Sequence, residues 1–116
     1  MLFAAVYELV VGSWPFEADE YPELKGATRE KKFAFGLNHV LKHMMKSVGA
    51  IAAQLEDVDH LRVSEVNVGA VRVLARKMIV NAIRLAELVG YEPDAIVRDM
   101  QDWVAAKQNG QVADSS

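Results

Sequence analysis

Thr28 to Asp57 reads as one uninterrupted amphipathic helix, and no other stretch of the chain limits the possible folds so sharply. Phe33, Leu37, Val40/Leu41, Met44, Val48, Ile51/Ala52 and Leu55 recur at steps of three and four, the spacing of a buried helical stripe. The opposite face carries Lys32, His39, Lys42, His43 and Lys46 beside the small residues Gly36, Ser47 and Ala50. A second helix is expected over Val66–Val89, where 16 of 24 residues are Ala, Val, Ile, Leu or Met. That content leaves it apolar on nearly every side, so it must be buried on more than one. In a chain of 116 residues, these two helices predict an all-α fold, an antiparallel four-helix bundle.

The remaining segments fit that frame. Leu2 to Val11 is apolar apart from Glu8; period alone does not separate helix from strand in so short a run, and helix is favoured because all that follows is helical. Gly12 and Ser13 should end it. Trp14 to Gly26 reads as a loop with Pro15 and Pro22, whose aromatics Trp14, Phe16 and Tyr21 pack down on the bundle. Thr28 is positioned to cap the long helix, although Lys31 stands where a capping box wants Glu or Gln. Gly36 and Gly49, inside that helix, each cost about 1 kcal/mol relative to Ala and so predict the close approach of a neighbour. Ser64 or Asn67 can cap the second long helix, and Gly90 suits its C′ position. Pro93 opens a last helix with Ile96, Met100, Trp103/Val104 and Lys107 on one side. Residues 1–107 are expected to form a single domain, and the polar residues 108–116 a flexible tail.

Composition narrows the class of function. Hydrophobic residues make up 52% and charged ones 25%, as in an ordered globular domain. A net charge of −3 argues against nucleic acid or an acidic membrane surface as partner. Without cysteine there is no disulfide, no thiolate nucleophile and no cysteine-held metal. The first residues lack a positive leader and a cleavage site. Arg72, Arg76, Lys77, Arg84 and Glu87 make it costly for Val66–Val89 to span a bilayer. A cytoplasmic protein is the expectation.

Three constellations carry possible chemistry. His39 and His43 stand four apart, a spacing that offers two imidazoles to one metal, with His60 or Asp57 as the third ligand; two solvated histidines is the favoured reading. Glu56, Asp57, Asp59 and His60 form an acidic cluster at a helix C-terminus, either a cation site built on Asp57, Asp59 and His60 or a solvated turn paired with Arg62. Lys77, Asn81 and Arg84 recur at helical spacing on the apolar helix. Facing Lys46, His43 and Ser47 they would build an anion pocket; the alternative is a structural network between helices or subunits. No phosphate loop or nucleophile elbow occurs, so no catalytic residue is assigned.

His43–Leu55 (HMMKSVGAIAAQL) followed by Met78–Val97 (MIVNAIRLAELVGYEPDAIV) resembles the MazG-like, all-α nucleoside triphosphate pyrophosphohydrolases, in matching order over residues 30–105. The resemblance implies a dimeric helical bundle whose EExxE and ExxD runs hold Mg²⁺ against a triphosphate. Carried over position by position, those runs fall on Lys46, Ser47 and Ala50, and on Leu74 and Lys77. None is a carboxylate, and two lysines there repel Mg²⁺ by several kcal/mol at low effective dielectric.

The resulting expectation is a non-catalytic, MazG-like protein that binds a nucleotide or another phosphorylated small molecule through Lys46, Lys77, His43, Ser47, Asn81 and Arg84, with no cofactor. One alternative is a helical dimerisation or protein-interaction module without a small ligand. The other is a divergent pyrophosphohydrolase, which would need Mg²⁺. The expected partner is a second copy of the chain, the Val66–Val89 helix being central to the interface, with further pairing into a tetramer left open.

Overall fold

The computed structural model describes residues 2–110. Four helices follow one another: α1 (Leu2–Ser13), α2 (Arg29–Asp59), α3 (Val68–Leu88) and α4 (Pro93–Gln108). Two single-turn 3-10 segments, Ala18–Glu20 and Pro22–Leu24, lie between α1 and α2. No strand occurs among the described residues, so the first apolar run is helical, and it continues through Gly12 and Ser13 rather than stopping before them. The polar end was expected to begin at residue 108, but Gln108 is the last residue of α4; residues 111–116 lie outside the described residues.

The helix boundaries follow from local chemistry. The Thr28 hydroxyl accepts from the Lys31 N–H at 3.1 Å and starts α2. Of the two candidate caps for α3 it is Asn67 that serves, its side-chain oxygen accepting from the Ala70 N–H at 3.1 Å. α3 ends on a Schellman turn: Gly90 N–H donates to the Glu87 carbonyl at 3.0 Å and Tyr91 N–H to that of Ala86 at 2.8 Å, with Gly90 at φ 71°. α2 ends the same way, Leu61 N–H on Val58 and Arg62 N–H on Asp57, but there the left-handed residue is Leu61, at φ 58°. A leucine in that conformation is uncommon, and nothing in the sequence signals it.

α3 is the middle element. On one side it meets α1, where Tyr7, Val10 and Ile83 form a buried cluster flanked by Phe3, Val80, Ala86 and, from α4, Ile96. The Tyr7 hydroxyl donates to the Tyr91 carbonyl at 2.9 Å and ties α1 to the α3–α4 turn. Burial pushes the Tyr7 pKa up, with Glu92, Glu87 and Glu8 adding to the shift.

On its other side α3 meets α2, and here the packing differs from the apolar-stripe expectation. The α2 residues that become buried are Gly36, Val40 and Ser47. Of the expected stripe, only Val40 is fully enclosed, whereas Phe33, Leu41, Val48 and Leu55 are exposed. The three buried positions share one side of α2, and the helical repeat turns the exposed members of the bulkier stripe away from it. Gly36 does mark a close neighbour, although the neighbour is a loop side chain and not a helix. A Cβ placed there would lie 3.3 Å from Cε1 of Phe16. Gly49 faces open space, with nothing within 4 Å of such a Cβ. No helix among the described residues is long and apolar enough to cross a membrane.

Candidate functional site

The seam between α2 and α3 opens on one side into a cleft of about 1130 Å³. Its position follows from the helical repeat. His39, His43, Lys46 and Ala50 lie on α2 about 70° round from the Gly36–Val40–Ser47 seam, and Lys77, Val80 and Arg84 lie on the matching side of α3. The α1–α2 connection closes one end with Trp14, Phe16 and Tyr21.

Two walls of different chemistry result. One is aromatic: the Phe16 and Tyr21 rings stack at 5.6 Å, Tyr21 meets His39 edge-on at 5.6 Å, and His39 meets His43 edge-on at 4.8 Å. The Tyr21 hydroxyl lies 3.4 Å from His39 Nε2, a long hydrogen bond whose direction depends on the tautomer. The His39 pKa is lowered, first by burial and then by His43, Arg84 and Lys42, so its neutral form is favoured.

The other wall is cationic. Lys46, Arg76, Lys77 and Arg84 line the cleft against two carboxylates, Glu17 and Glu20, giving the lining a net charge of +2 with histidines neutral in a chain of net −3. Among the described residues the ion pairs are Arg62 with Asp57, at 3.0 Å, and His60 with Glu56, at 3.6 Å. Among the described residues, therefore, no carboxylate lies within pairing distance of the four cleft cations. Arg84 is steadied instead by a neutral partner: its guanidinium donates to Asn81 Oδ1 at 3.3 Å, while Asn81 Nδ2 donates to the Lys77 carbonyl at 2.8 Å. Ser47 and Asn81 form the buried polar floor.

All six residues singled out from helical spacing, Lys46, Lys77, His43, Ser47, Asn81 and Arg84, thus line one cleft. The aromatic wall and Arg76 were not singled out as site residues. Arg76 was legible in principle, since it shares the four-residue step of Val80 and Arg84; the loop aromatics follow no period. The acidic cluster lies elsewhere, exposed at the end of α2, with Asp57 held by Arg62 and His60 beside Glu56. Among the described residues no three His, Asp or Glu side chains converge as a metal ion would require, so Asp57, Asp59 and His60 do not assemble a site, and neither do His39 and His43 with a third ligand. No family model, curated protein or solved structure matches the chain.

Proposed function

We propose that this chain is a MazG-like helical protein that binds a nucleotide, or another phosphorylated small molecule carrying a flat ring, in the α2–α3 cleft without hydrolysing it. The observation that carries the reading is the cleft itself: four cations free of carboxylate partners beside a wall of stacked rings. Unpaired lysine and arginine on a polar floor attract phosphate oxygens through charge-assisted hydrogen bonds. Rings of Trp14, Phe16, Tyr21 and His39 offer a surface on which a base can stack. The resemblance gains a second support: Lys46, Ser47, Ala50, Leu74 and Lys77, the positions assigned by it to metal-holding carboxylates, all line this cleft. With cations and apolar groups there, the residues do not fit Mg²⁺, and no hydrolytic step is derived. The two carboxylates of the lining come from the loop and not from those positions.

The test is isothermal titration of the full chain with a panel of nucleotides in the absence of divalent metal. Binding is expected in the micromolar to millimolar range. The double reversal Lys46→Glu/Lys77→Glu should weaken it at least tenfold, because like charges then face the phosphates, with circular dichroism confirming that the variant folds. No heat at millimolar ligand would remove the proposal and leave the interaction-module reading, which the exposed apolar residues of α2 favour.

A further inference from the structure

The cleft between α2 and α3 is not uniformly charged along its length. The loop that closes it lies over the start of α2, where Phe16 covers Gly36. Lys46 stands ten residues further along α2, about 15 Å at the helical rise. On α3 the order runs the other way. Arg84 is close enough to His39 to help lower its pKa, and Lys77 and Arg76 follow about 10–12 Å beyond Arg84. Lys46, Arg76 and Lys77 therefore gather away from the loop, whereas both carboxylates of the lining, Glu17 and Glu20, belong to the loop itself. A ligand lying along the cleft meets hydrogen-bond acceptors at one end and cations at the other.

The loop end also holds an unused ring. Phe16 and Tyr21 are engaged with neighbours: they stack on each other at 5.6 Å, and Tyr21 meets Phe35 at 4.9 Å. Trp14, in contrast, lines the cleft, is 52% exposed and has no ring partner among the described residues. Its backbone is fixed to the last turn of α1, the Trp14 N–H donating to the Val10 carbonyl at 3.0 Å. Glu17 and Glu20 are exposed too. Among the described residues neither carboxylate makes an ion pair or a hydrogen bond. An open indole face beside two unengaged carboxylates suits a flat ring whose edge carries donors.

We infer that the ligand of this cleft is a guanine nucleotide, its base stacked on Trp14, its Watson–Crick edge donating to Glu17 or Glu20 and its phosphates among Lys46, Arg76 and Lys77. This rests on the function proposed above and adds the identity of the base. The Watson–Crick edge of a purine points away from its sugar and phosphates, so phosphates at the cationic end carry that edge to the loop. Guanine alone among the common bases offers two adjacent donors there, N1–H and N2–H, which match the two oxygens of one carboxylate. Adenine and cytosine place a ring acceptor beside their amino group, and uracil flanks its N–H with two carbonyls. Each of these sets an acceptor against the carboxylate and loses the paired bond.

Titration of the full chain, without divalent metal, with guanosine, inosine and adenosine diphosphates and with inorganic pyrophosphate separates base from phosphate. Inosine diphosphate differs from the guanosine compound only in lacking the N2 amino group. Guanosine diphosphate is expected to bind at least tenfold more tightly than the other two nucleotides. Glu17→Gln/Glu20→Gln should erase that preference, while pyrophosphate should bind at least as well as before because two negative charges are gone. Pyrophosphate binding also shows that the variant is folded. Stacking is read separately: in Trp103→Phe the remaining indole is Trp14, and guanosine diphosphate should quench its fluorescence severalfold more than pyrophosphate does. Equal affinity for the three nucleotides, with pyrophosphate still bound, overturns the guanine assignment and leaves the anion-binding function standing. A guanine preference that survives Glu17→Gln/Glu20→Gln overturns the inference as well. No binding of any nucleotide or of pyrophosphate removes both.

Discussion

α2 and α3 present two faces with the same backbone and opposite chemistry. On one, Lys46, Lys77, Arg76 and Arg84 stand unpaired beside stacked rings; on the other, Leu41, Met45, Val48 and Leu55 stand without cover. Between them lies a thin buried strip of α2, Gly36, Val40 and Ser47, of which Gly36 is covered by Phe16 of the loop. The difference teaches how little of this hairpin is devoted to holding its own two helices together. A seam of small residues gives close contact but little apolar area, so each flanking face is left with an unmet requirement. On one face cations outnumber carboxylates by four to two, and on the other the apolar side chains lack cover. On the function proposed above, a phosphorylated ligand would meet the first requirement. By contrast, the α1–α3–α4 corner closes on itself through Tyr7, Val10 and Ile83.

The sharpest way to break this comparison is to shorten one valine in the seam and one on the bare face. Val40 is fully enclosed, and Val40→Ala should cost about 2 kcal/mol, from lost burial plus the cavity left behind. Urea unfolding at fixed protein concentration reads this directly. Val48 is already 50% exposed, so Val48→Ala should cost well under that, about 0.5 kcal/mol. If both variants shifted the urea midpoint alike, the two valines would be equivalent and the distinction between seam and face would fail.

A smaller effect, of opposite sign at two positions, comes from the glycines of α2. Gly49→Ala should stabilise by about 1 kcal/mol, because nothing lies near a new Cβ and alanine is the better helix former. Gly36→Leu gains the same propensity but drives a branched side chain into the Phe16 ring. With overpacking at about 1–3 kcal/mol, the net should be a loss of about 1 kcal/mol. The aromatic wall should open as well, so nucleotide affinity should fall in Gly36→Leu and stay unchanged in Gly49→Ala. Thermal melts and titration of the two variants side by side provide the check.

Much of this arrangement is legible in the residues, for reasons that also explain what is not. Thr28, Asn67, Gly90 and Pro93 announce helix ends because capping depends on chemistry within a few residues. The cleft residues of α2 and α3 share a side because the helical repeat fixes angles from spacing alone. Which side of α2 faces α3 is a property of both helices together. The periodic stripe Phe33–Leu55 suggests a buried face, and it is the side of Gly36, Val40 and Ser47 that is buried. The wall of Trp14, Phe16 and Tyr21 lies in a connection with no repeat to read, and Leu61 takes a left-handed turn usually given to glycine.

The smallest expected effect separates the empty cleft from a filled one through His39. Burial, then His43, Arg84 and Lys42, hold its folded pKa below the ordinary 6.5. Between that lowered value and 6.5 the unfolded chain binds the proton more readily than the folded one. The stability contributed by His39 is therefore complete above pH 6.5 and is lost as pH falls through 6.5 toward the folded value. Since the side chain is far from fully buried, the slope is shallow. An anion bound in the cleft as proposed would work against the shift, because it offsets the repulsion from His43, Arg84 and Lys42 and favours imidazolium, although not the burial that is the first cause. Ligand binding should then take up protons, and affinity for a nucleotide should rise as pH falls over the interval in which the empty protein loses stability. Urea midpoints from pH 7.5 to 5.5, alone and with millimolar inorganic pyrophosphate, should show a downward slope without the anion and a flatter or inverted one with it. His39→Gln should remove the slope of the empty protein. If that slope persisted in His39→Gln, the proton would belong to another group and His39 would have no part in sensing the anion.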